Sequence, residues 1–157
     1  MAADEPILRG AITNELWVAA RYGLEVSEQI MRAEGIDPDA YGRVSFIGFL
    51  QPVTRTRLAE ATGMRRTTVR DMVGGLIERG HVEERPNPRD GRSTLITLTP
   101  EGQRIFDEGK PIFQKVLRAI DDALGGELRE HEEAVRRIRI ALQQLVEELP
   151  ERMVDTT

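Results

Sequence analysis

The chain has 157 residues, of which 39% are hydrophobic and 31% charged, and this balance is typical of one globular domain or of two small lobes that share a core. It contains no cysteine, which excludes disulfides, thiolate metal sites, cysteine nucleophiles and cysteine redox sensing. A formal net charge of −5, taken alone, argues against nucleic acid as a partner.

The distribution of charge changes that interpretation. From Thr54 to Thr97 the chain has nine arginines and six acidic residues, a local charge of +3, while the remainder carries −8. Affinity for DNA depends on the local basic footprint and not on the overall sum. The middle of the chain is therefore the candidate nucleic-acid interface.

Membrane and export signals are not evident in the sequence. No apolar run approaches the roughly 18 residues that a membrane-spanning helix needs. The first ten residues, MAADEPILRG, lack the basic start and apolar core of a secretory signal. We therefore expect a soluble, cytoplasmic protein that has no membrane partner.

Two helices are predicted before the basic segment. Apolar spacing places the first from about Arg9 to Glu34 and the second from about Tyr41 to Leu50, with residues 36–38 as a loop between them. Residues 1 to about 9 are expected to be loose. Val53 is well placed for a short strand that would flank a later hairpin.

The basic segment opens with a predicted helix-turn-helix. Thr54 suits the N-cap of a short helix, Gly63 suits the sharp turn, and a longer helix is predicted from about Met64 to Arg79. A helix that enters the major groove presents its N-terminal residues to base edges, where arginine can pair with guanine and threonine can offer a hydroxyl or a methyl group. The longer helix begins with such residues, which are Arg65, Arg66, Thr67, Thr68 and Arg70. A merely solvated basic face is the alternative.

A hairpin follows directly and favours the DNA-binding interpretation. Its arms are predicted at His81-Val82 and at Thr94–Leu98, and the intervening ERPNPRDGRS is predicted to be a loop. Arginines at positions 85, 89 and 92 lie on this loop, which could reach the negative potential of a narrow minor groove. Asp90 is expected to orient an arginine by ion pairing. The alternative is an ordinary polar hairpin loop.

The rest of the chain is predicted to be helical. Thr99 can cap a helix that Pro100 begins and in which Pro111 causes a kink. After a break at Gly125-Gly126, a last helix is predicted from about Glu127 to Glu148, closed by Pro150, with a frayed tail. The first and last helices have wide apolar stripes, which could pack within the chain or interleave with those of a second subunit; we favour the two-fold dimer.

These motifs together resemble the MarR family of winged-helix transcriptional regulators. The resemblance lies in the order LAEATG…TTVRDMV…LIERGHVEERPNPRDGRSTLITLTPEG and is close over the central third of the chain. It implies a mostly α fold with a small β wing (α+β). Residues 38–99 would form the winged helix-turn-helix lobe, and residues 1–37 and 100–157 would form a helical dimerisation lobe.

The resemblance also implies a function and its residues. Relatives are usually homodimeric repressors that bind a pseudo-palindromic double-stranded operator. The groove-facing residues would be Arg65, Arg66, Thr67, Thr68 and Arg70, and Arg92, steadied by Asp90, would be the wing-tip arginine. With the residues argued above, the expected DNA-binding set is Thr54, Arg65, Arg66, Thr67, Thr68, Arg70, Arg89, Asp90 and Arg92.

Two features depart from the family pattern. The family usually has a small capping residue where this chain has Arg65, so the recognition helix is expected to begin without a side-chain cap. Gly74 and Gly75 lie inside that helix, where each costs roughly 1 kcal/mol relative to alanine.

An effector site is a further expectation from the family. MarR-like proteins commonly release DNA when a small aromatic or phenolic molecule binds between the dimer helices and the DNA-binding lobe. In this chain the expected lining is Trp17, Arg21, Tyr22, Phe46 and Phe49, whose arginine could hold a carboxylate. The alternative is that these aromatic residues belong to the core, since aromatic residues at helical spacing usually do.

Two other functions are alternatives to DNA binding. The sequence shows no phosphate-binding loop, metal-ligand spacing or nucleophile elbow, so we expect no enzyme activity, cofactor or metal. The second alternative is a winged-helix module that binds protein and has no specific affinity for DNA.

Overall fold

The computed structural model describes the chain from Ala11 to Val154, with side chains described as far as Leu149. Within that range the elements are α1 (Ile12–Ala33), α2 (Pro38–Leu50), α3 (Arg55–Thr62), α4 (Arg66–Glu78), β1 (Val82–Asn87), β2 (Asp90–Leu98), α5 (Pro100–Ala123) and α6 (Leu128–Val154). This order confirms the mostly helical fold with a two-stranded wing. The predicted loose residues and the predicted helix start at Arg9 lie outside the described residues.

The chain divides after Val116 into two compact units. The first contains α1 to β2 and most of α5, and the second contains the end of α5 and all of α6. No described helix has both the length and the apolarity that crossing a bilayer requires. The division into residues 1–37, 38–99 and 100–157 stays a prediction.

The start of α2 corrects one prediction. Residues 36–38 were expected to be a loop before Tyr41, but α2 already begins at Pro38. The Asp37 carboxylate accepts hydrogen bonds from the backbone amides of Asp39, at 2.9 Å, and Ala40, at 3.3 Å. An aspartate N-cap followed by proline at the first helical position is a strong helix start, which outweighs the tendency of this dipeptide to form turns.

The core of the first unit is assembled from short apolar faces. Its fully buried side chains come from α2, α3, α4, β2 and α5, and they are Val44, Ile47, Leu58, Val69, Val73, Leu76, Ile96 and Val116. Burying one such side chain contributes about 1.5–3 kcal/mol before the entropic cost of ordering it. This core fixes which face of α4 is turned outward.

The wing is attached to the helices by the expected third strand. Val53 forms an isolated antiparallel bridge with Ile96, with N–O distances of 3.1 and 2.8 Å, which confirms that prediction. Beside it, the Gln51 side chain accepts from the backbone amide of Leu98 at 2.9 Å and donates to Gln103 at 3.1 Å. These bonds satisfy backbone groups at the edge of the small sheet.

Helices α2 and α5 interlock through two aromatic rings and two glycines. A Cβ added to Gly48 of α2 would overlap the Phe106 ring of α5, and one added to Gly109 of α5 would overlap the Tyr41 ring of α2. The two rings stack at 6.2 Å between centroids. The Tyr41 hydroxyl is buried with no hydrogen-bond partner among the described residues, and burial raises its pKa to about 12.

Two predictions for the C-terminal elements are confirmed and one is wrong, while the kink expected at Pro111, which lies inside α5, stays a prediction. Thr99 accepts from the Gly102 amide at 3.2 Å and so caps α5, and the break at Gly125 and Gly126 has left-handed φ values of 72° and 86°. Pro150 does not close α6, which continues to Val154. A proline removes one helical hydrogen bond and its ring crowds the carbonyl four residues earlier, which can kink a helix without ending it.

Candidate nucleic-acid interface

The helix-turn-helix is built by local hydrogen bonds, of which the sequence predicted the Thr54 cap. The Thr54 hydroxyl accepts from the Arg57 amide at 3.2 Å, so Thr54 is the N-cap of α3. Gly63 follows with φ of 71°, in the left-handed region that ends the helix at little cost. The Thr62 hydroxyl donates to the Leu58 carbonyl at 2.7 Å and accepts from Met64 at 3.3 Å. This turn sets the direction of α4.

Helix α4 has the properties expected of a recognition helix. Val69, Val73 and Leu76 are fully or almost fully buried, so they fix its rotation on the core. The opposite face is exposed at Arg65, Arg66, Thr67, Thr68 and Arg70. This is the face that could enter a groove.

The start of α4 is also free to bind an anion. Arg65 is the N-cap residue in extended conformation and makes no side-chain capping hydrogen bond, as expected. The first amides of a helix have no intrahelical acceptor, and they suit a phosphate oxygen when no side chain caps them.

The wing differs from its prediction. Strands β1 and β2 extend through most of the expected loop, and only Pro88 and Arg89 form the turn between the paired Asn87 and Asp90. The Asn87 side chain stabilises this turn, because its amide donates to Ser93 at 2.9 Å and its oxygen accepts from the Arg89 backbone at 3.0 Å. The irregularity in register at Pro86 lets a proline sit within a two-stranded ribbon.

Asp90 steadies the wing tip differently from the prediction. Its carboxylate accepts from the backbone amide of Arg92 at 3.1 Å, and the structure shows no ion pair between the two side chains. The expected ion pair is therefore wrong. A short acidic side chain two residues before an amide favours this local turn, which leaves the guanidinium of Arg92 unoccupied.

Ion pairing separates the arginines of residues 54–98 into two groups. Four are paired with carboxylates, which are Arg55 with Glu84 at 2.9 Å, Arg57 with Glu60 at 3.4 Å, Arg70 with Asp71 at 3.1 Å and Arg85 with Glu83 at 2.6 Å. Arg79 donates to the Gly75 carbonyl at 2.7 Å.

The other group consists of four exposed arginines. In the described part of the chain the side chains of Arg65, Arg66, Arg89 and Arg92 have no hydrogen-bond or ion-pair partner. Two of them begin the recognition helix and two lie at the tip of the wing. A guanidinium without a partner is free to bind phosphate or a guanine edge without first breaking an ion pair.

The expected effector residues lie on α1 and α2. The exposed fractions are 67% for Trp17, 55% for Tyr22, 56% for Phe49 and 38% for Phe46, so these side chains are not core residues of the single chain. The Arg21 guanidinium lies 4.1 Å from the centroid of the Tyr22 ring and 3.6 Å from Glu25. Phe49 contacts Phe106 edge to face, with 5.0 Å between the ring centroids.

The acidic and histidine side chains of the described residues are not grouped as metal ligands. The described residues contain no group of three or more histidine, aspartate or glutamate side chains that could hold a metal ion. The histidines are His81, beside the wing, and His131 of α6, whose Nε2 lies 3.8 Å from the carboxylate of Glu127, the residue before that helix.

Helix-turn-helix, wing and exposed guanidinium groups define the class of this protein, which is a winged-helix transcriptional regulator. The family model of the MarR family matches residues 34–93, a segment that contains the helix-turn-helix and most of the wing. Members of that family are regulators and not enzymes.

Three similar proteins show the extent of the likeness. A proposed transcriptional regulatory protein for the hcr operon of Thauera aromatica is 26% identical over 121 residues, which cover 74% of this chain and 71% of that protein. The structure of BpsR from Bordetella bronchiseptica, whose DNA binding is regulated by 6-hydroxynicotinic acid, has a TM-score of 0.68 at 18% identity, covering 87% of this chain and 97% of BpsR. A mutant MarR from E. coli in complex with operator DNA has a TM-score of 0.64 at 16% identity, covering 86% and 99%.

Proposed function

We propose that this regulator is a homodimeric repressor that binds a pseudo-palindromic double-stranded operator and releases it when a small aromatic or phenolic ligand binds. The observation that carries the proposal is the position of the four unpaired arginines, which lie at the two parts of a winged helix that approach DNA. An acidic protein with a basic footprint of this kind binds DNA through the footprint and repels it elsewhere.

The proposed contacts follow from this geometry. Arg65, Arg66, Thr67, Thr68 and Arg70 face the major groove, and the uncapped start of α4 faces a phosphate. Arg89 and Arg92 reach the minor groove from the wing, while Asp90 holds the wing tip through the backbone. Thr54 caps α3, and its hydroxyl hydrogen is available to a phosphate.

Dimerisation is supported by uncovered apolar faces on two helices. On α6 no described side chain is buried, and Val135, Leu142, Leu145 and Leu149 recur at heptad-like spacing with exposed fractions of 36–51%. On α1, Trp17 and Leu24 are exposed by about two thirds. A two-fold dimer built on such faces would hold two copies of α4 about 34 Å apart, one turn of the double helix.

A single substitution tests the dimer. Leu145→Glu places a charge in the apolar stripe of α6 and should convert the protein to monomers in sedimentation velocity. Gln143→Glu, on the other side of the same helix, adds the same charge and should leave the dimer intact. If the wild-type protein sediments as a monomer, the operator geometry proposed here fails.

Ligand release is supported by the exposed aromatic groups of α1 and α2. Trp17, Tyr22, Phe46 and Phe49 offer apolar surface, and Arg21 can bind a carboxylate. A ligand that binds better to a dimer whose recognition helices are wrongly spaced weakens operator binding by its differential affinity. Salicylate-like compounds should therefore raise the melting temperature and lower DNA affinity, and no change in either quantity would exclude this part of the proposal.

The DNA-binding function is tested with the wild-type protein over a salt series. Duplexes are first selected from a random library, and binding is then measured by gel shift from about 50 to 200 mM salt. A steep loss of affinity with salt, together with enrichment of a two-fold symmetric sequence, supports a specific operator. Weak binding that does not respond to salt would favour a protein-interaction module instead.

A further inference from the structure

One ion pair of the first unit connects the helix-turn-helix to the wing. The guanidinium of Arg55, the first residue of α3, lies 2.9 Å from Oε1 of Glu84 in β1. The same Oε1 accepts a hydrogen bond from the Thr94 hydroxyl of β2 at 3.2 Å. A single carboxylate oxygen thus joins three elements, and we name Arg55, Glu84 and Thr94 the wing brace.

The wing brace differs from the other ion pairs of this region. The carboxylate partners of Arg57, Arg70 and Arg85 lie within three residues of them in the sequence, so those pairs cannot fix one element against another. The Glu84 side chain is also the least exposed of these partners, at 22%. Partial burial reduces solvent screening and holds both side chains more firmly.

The wing brace lies where it can set the angle between the wing and the helix-turn-helix. Glu84 is paired in register with Ile96, the residue that forms the backbone bridge to Val53. The bridge and the brace therefore attach to the same pair of opposed residues, the bridge to Ile96 in β2 and the brace to Glu84 in β1. The bridge at Ile96 and the Gln51–Leu98 bond both hold β2, whereas the brace attaches β1 and so restricts rocking of the hairpin about β2.

We propose that Glu84 is a positioning residue for DNA binding, which holds the wing at the angle where Arg89 and Arg92 bind DNA together with the N-terminus of α4. The inference rests on the proposed DNA-binding function. Glu84 touches no DNA in this scheme, and Arg55 is occupied by Glu84 and is not itself a phosphate ligand.

The charge of Glu84, considered alone, predicts the opposite change in DNA affinity when this residue is replaced. Glu84 is a negative charge on a surface that meets phosphates, so its removal should tighten DNA binding if it had no positioning role. Removal should weaken binding if the brace sets the angle of the wing. The pair is also too exposed to matter much for folding, since such pairs contribute roughly 0–1 kcal/mol, and the melting temperature should change little.

The experiment compares two neighbouring glutamates on a duplex that the wild-type protein has selected. Glu84→Gln should weaken binding about tenfold and remove backbone protection where the wing lies, while protection by α4 remains. Glu83→Gln is the matched control, because Glu83 pairs only with Arg85 in its own strand. It should bind as tightly as wild type or more tightly.

A charge exchange separates the brace from a direct contact by Arg55. The double variant Arg55→Glu with Glu84→Arg restores an ion pair at the same place, so the brace predicts recovered affinity and wing protection. A direct phosphate contact by Arg55 predicts that the double variant stays weak.

The outcomes that overturn the inference are specific. The wing brace is refuted if Glu84→Gln binds DNA as tightly as wild type or more tightly. It is also refuted if the double variant stays weak, or if Glu84→Gln loses protection uniformly and melts at a lower temperature. If the wild-type protein selects no duplex at all, the proposed function fails and the brace fails with it. If wild type selects a duplex and Glu84→Gln binds it normally, only the brace fails.

Discussion

Replacement of Arg92 by alanine is the most direct test of the proposal that the unpaired arginines bind DNA. The Arg92 guanidinium has no partner in the described part of the chain, whereas Arg85 on the same wing is paired with Glu83 at 2.6 Å. If each of the four unpaired arginines of a subunit neutralises one phosphate, whether or not it also contacts a base, a dimer forms eight such contacts. The slope of log K against log salt is about −0.9 per phosphate, which gives about −7 for the wild type.

The expected change follows from the same relation. Arg92→Ala removes two contacts per dimer and should reduce the slope by about 1.8. Between about 50 and 200 mM salt the wild type should lose about ten-thousandfold in affinity and the variant about a tenfold smaller factor. Since Arg92 supports no contact within the fold, the melting temperature should not change.

The assay is fluorescence anisotropy with a selected duplex at four or more salt concentrations. Arg85→Ala is the matched control, because it removes an arginine that is already neutralised and should leave the slope close to that of wild type. The proposal is refuted if Arg92→Ala keeps the wild-type slope, or if Arg85→Ala reduces the slope as much as Arg92→Ala does.

Two further predictions concern α4 and the packing of α2 on α5. Arg66→Ala should cost about 1–3 kcal/mol of operator binding and relax sequence preference at one base pair, as a selection with the variant protein would show; unchanged preference would mean that Arg66 binds only phosphate. Gly74→Ala should stabilise the fold by about 0.4–1 kcal/mol, because nothing lies within 4 Å of the added Cβ. Gly109→Ala should destabilise the fold by about 1–3 kcal/mol, because the added Cβ overlaps the buried Tyr41 ring. Thermal melts would shift by about 2–4 °C per kcal/mol in opposite directions, and shifts of the same sign would contradict the packing described for α2 and α5.

The sequence indicated the order of elements because the signals that define them are local. The Thr54 cap and the turn at Gly63 each depend on a few neighbouring residues, and the structure confirms both. The bridge at Val53 is also confirmed, although its partner, Ile96, is distant in the sequence. The resemblance to the MarR family rests on the same segment, which is also where the family model matches.

The wing shows where local signals mislead. Two prolines, an asparagine and an Asp-Gly pair indicate a loop, yet strand pairing extends to Asn87 and Asp90. A two-residue turn and an irregularity at Pro86 accommodate these residues without ending the strands. Strand length depended on cross-strand pairing, which turn propensity does not report.

The partners of the arginines could not be predicted. The sequence suggested an ion pair between Asp90 and Arg92, but the carboxylate binds a backbone amide instead. Arg55 and Glu84 are far apart in the sequence, and nothing in either neighbourhood indicates that they meet. Which arginines are free for DNA is a property of tertiary packing, so it required the structure.

The two aromatic–glycine contacts between α2 and α5 restrict how these helices can move. Each ring occupies the space that a side chain would fill, and the contacts have opposite polarity, one ring from each helix. Sliding of one helix along the other would bring the side chains one turn away on the same face, at i±3 and i±4, toward the rings. We therefore expect α2 and α5 to tilt together, and Gln51, the residue that follows α2, connects that movement to the helix-turn-helix.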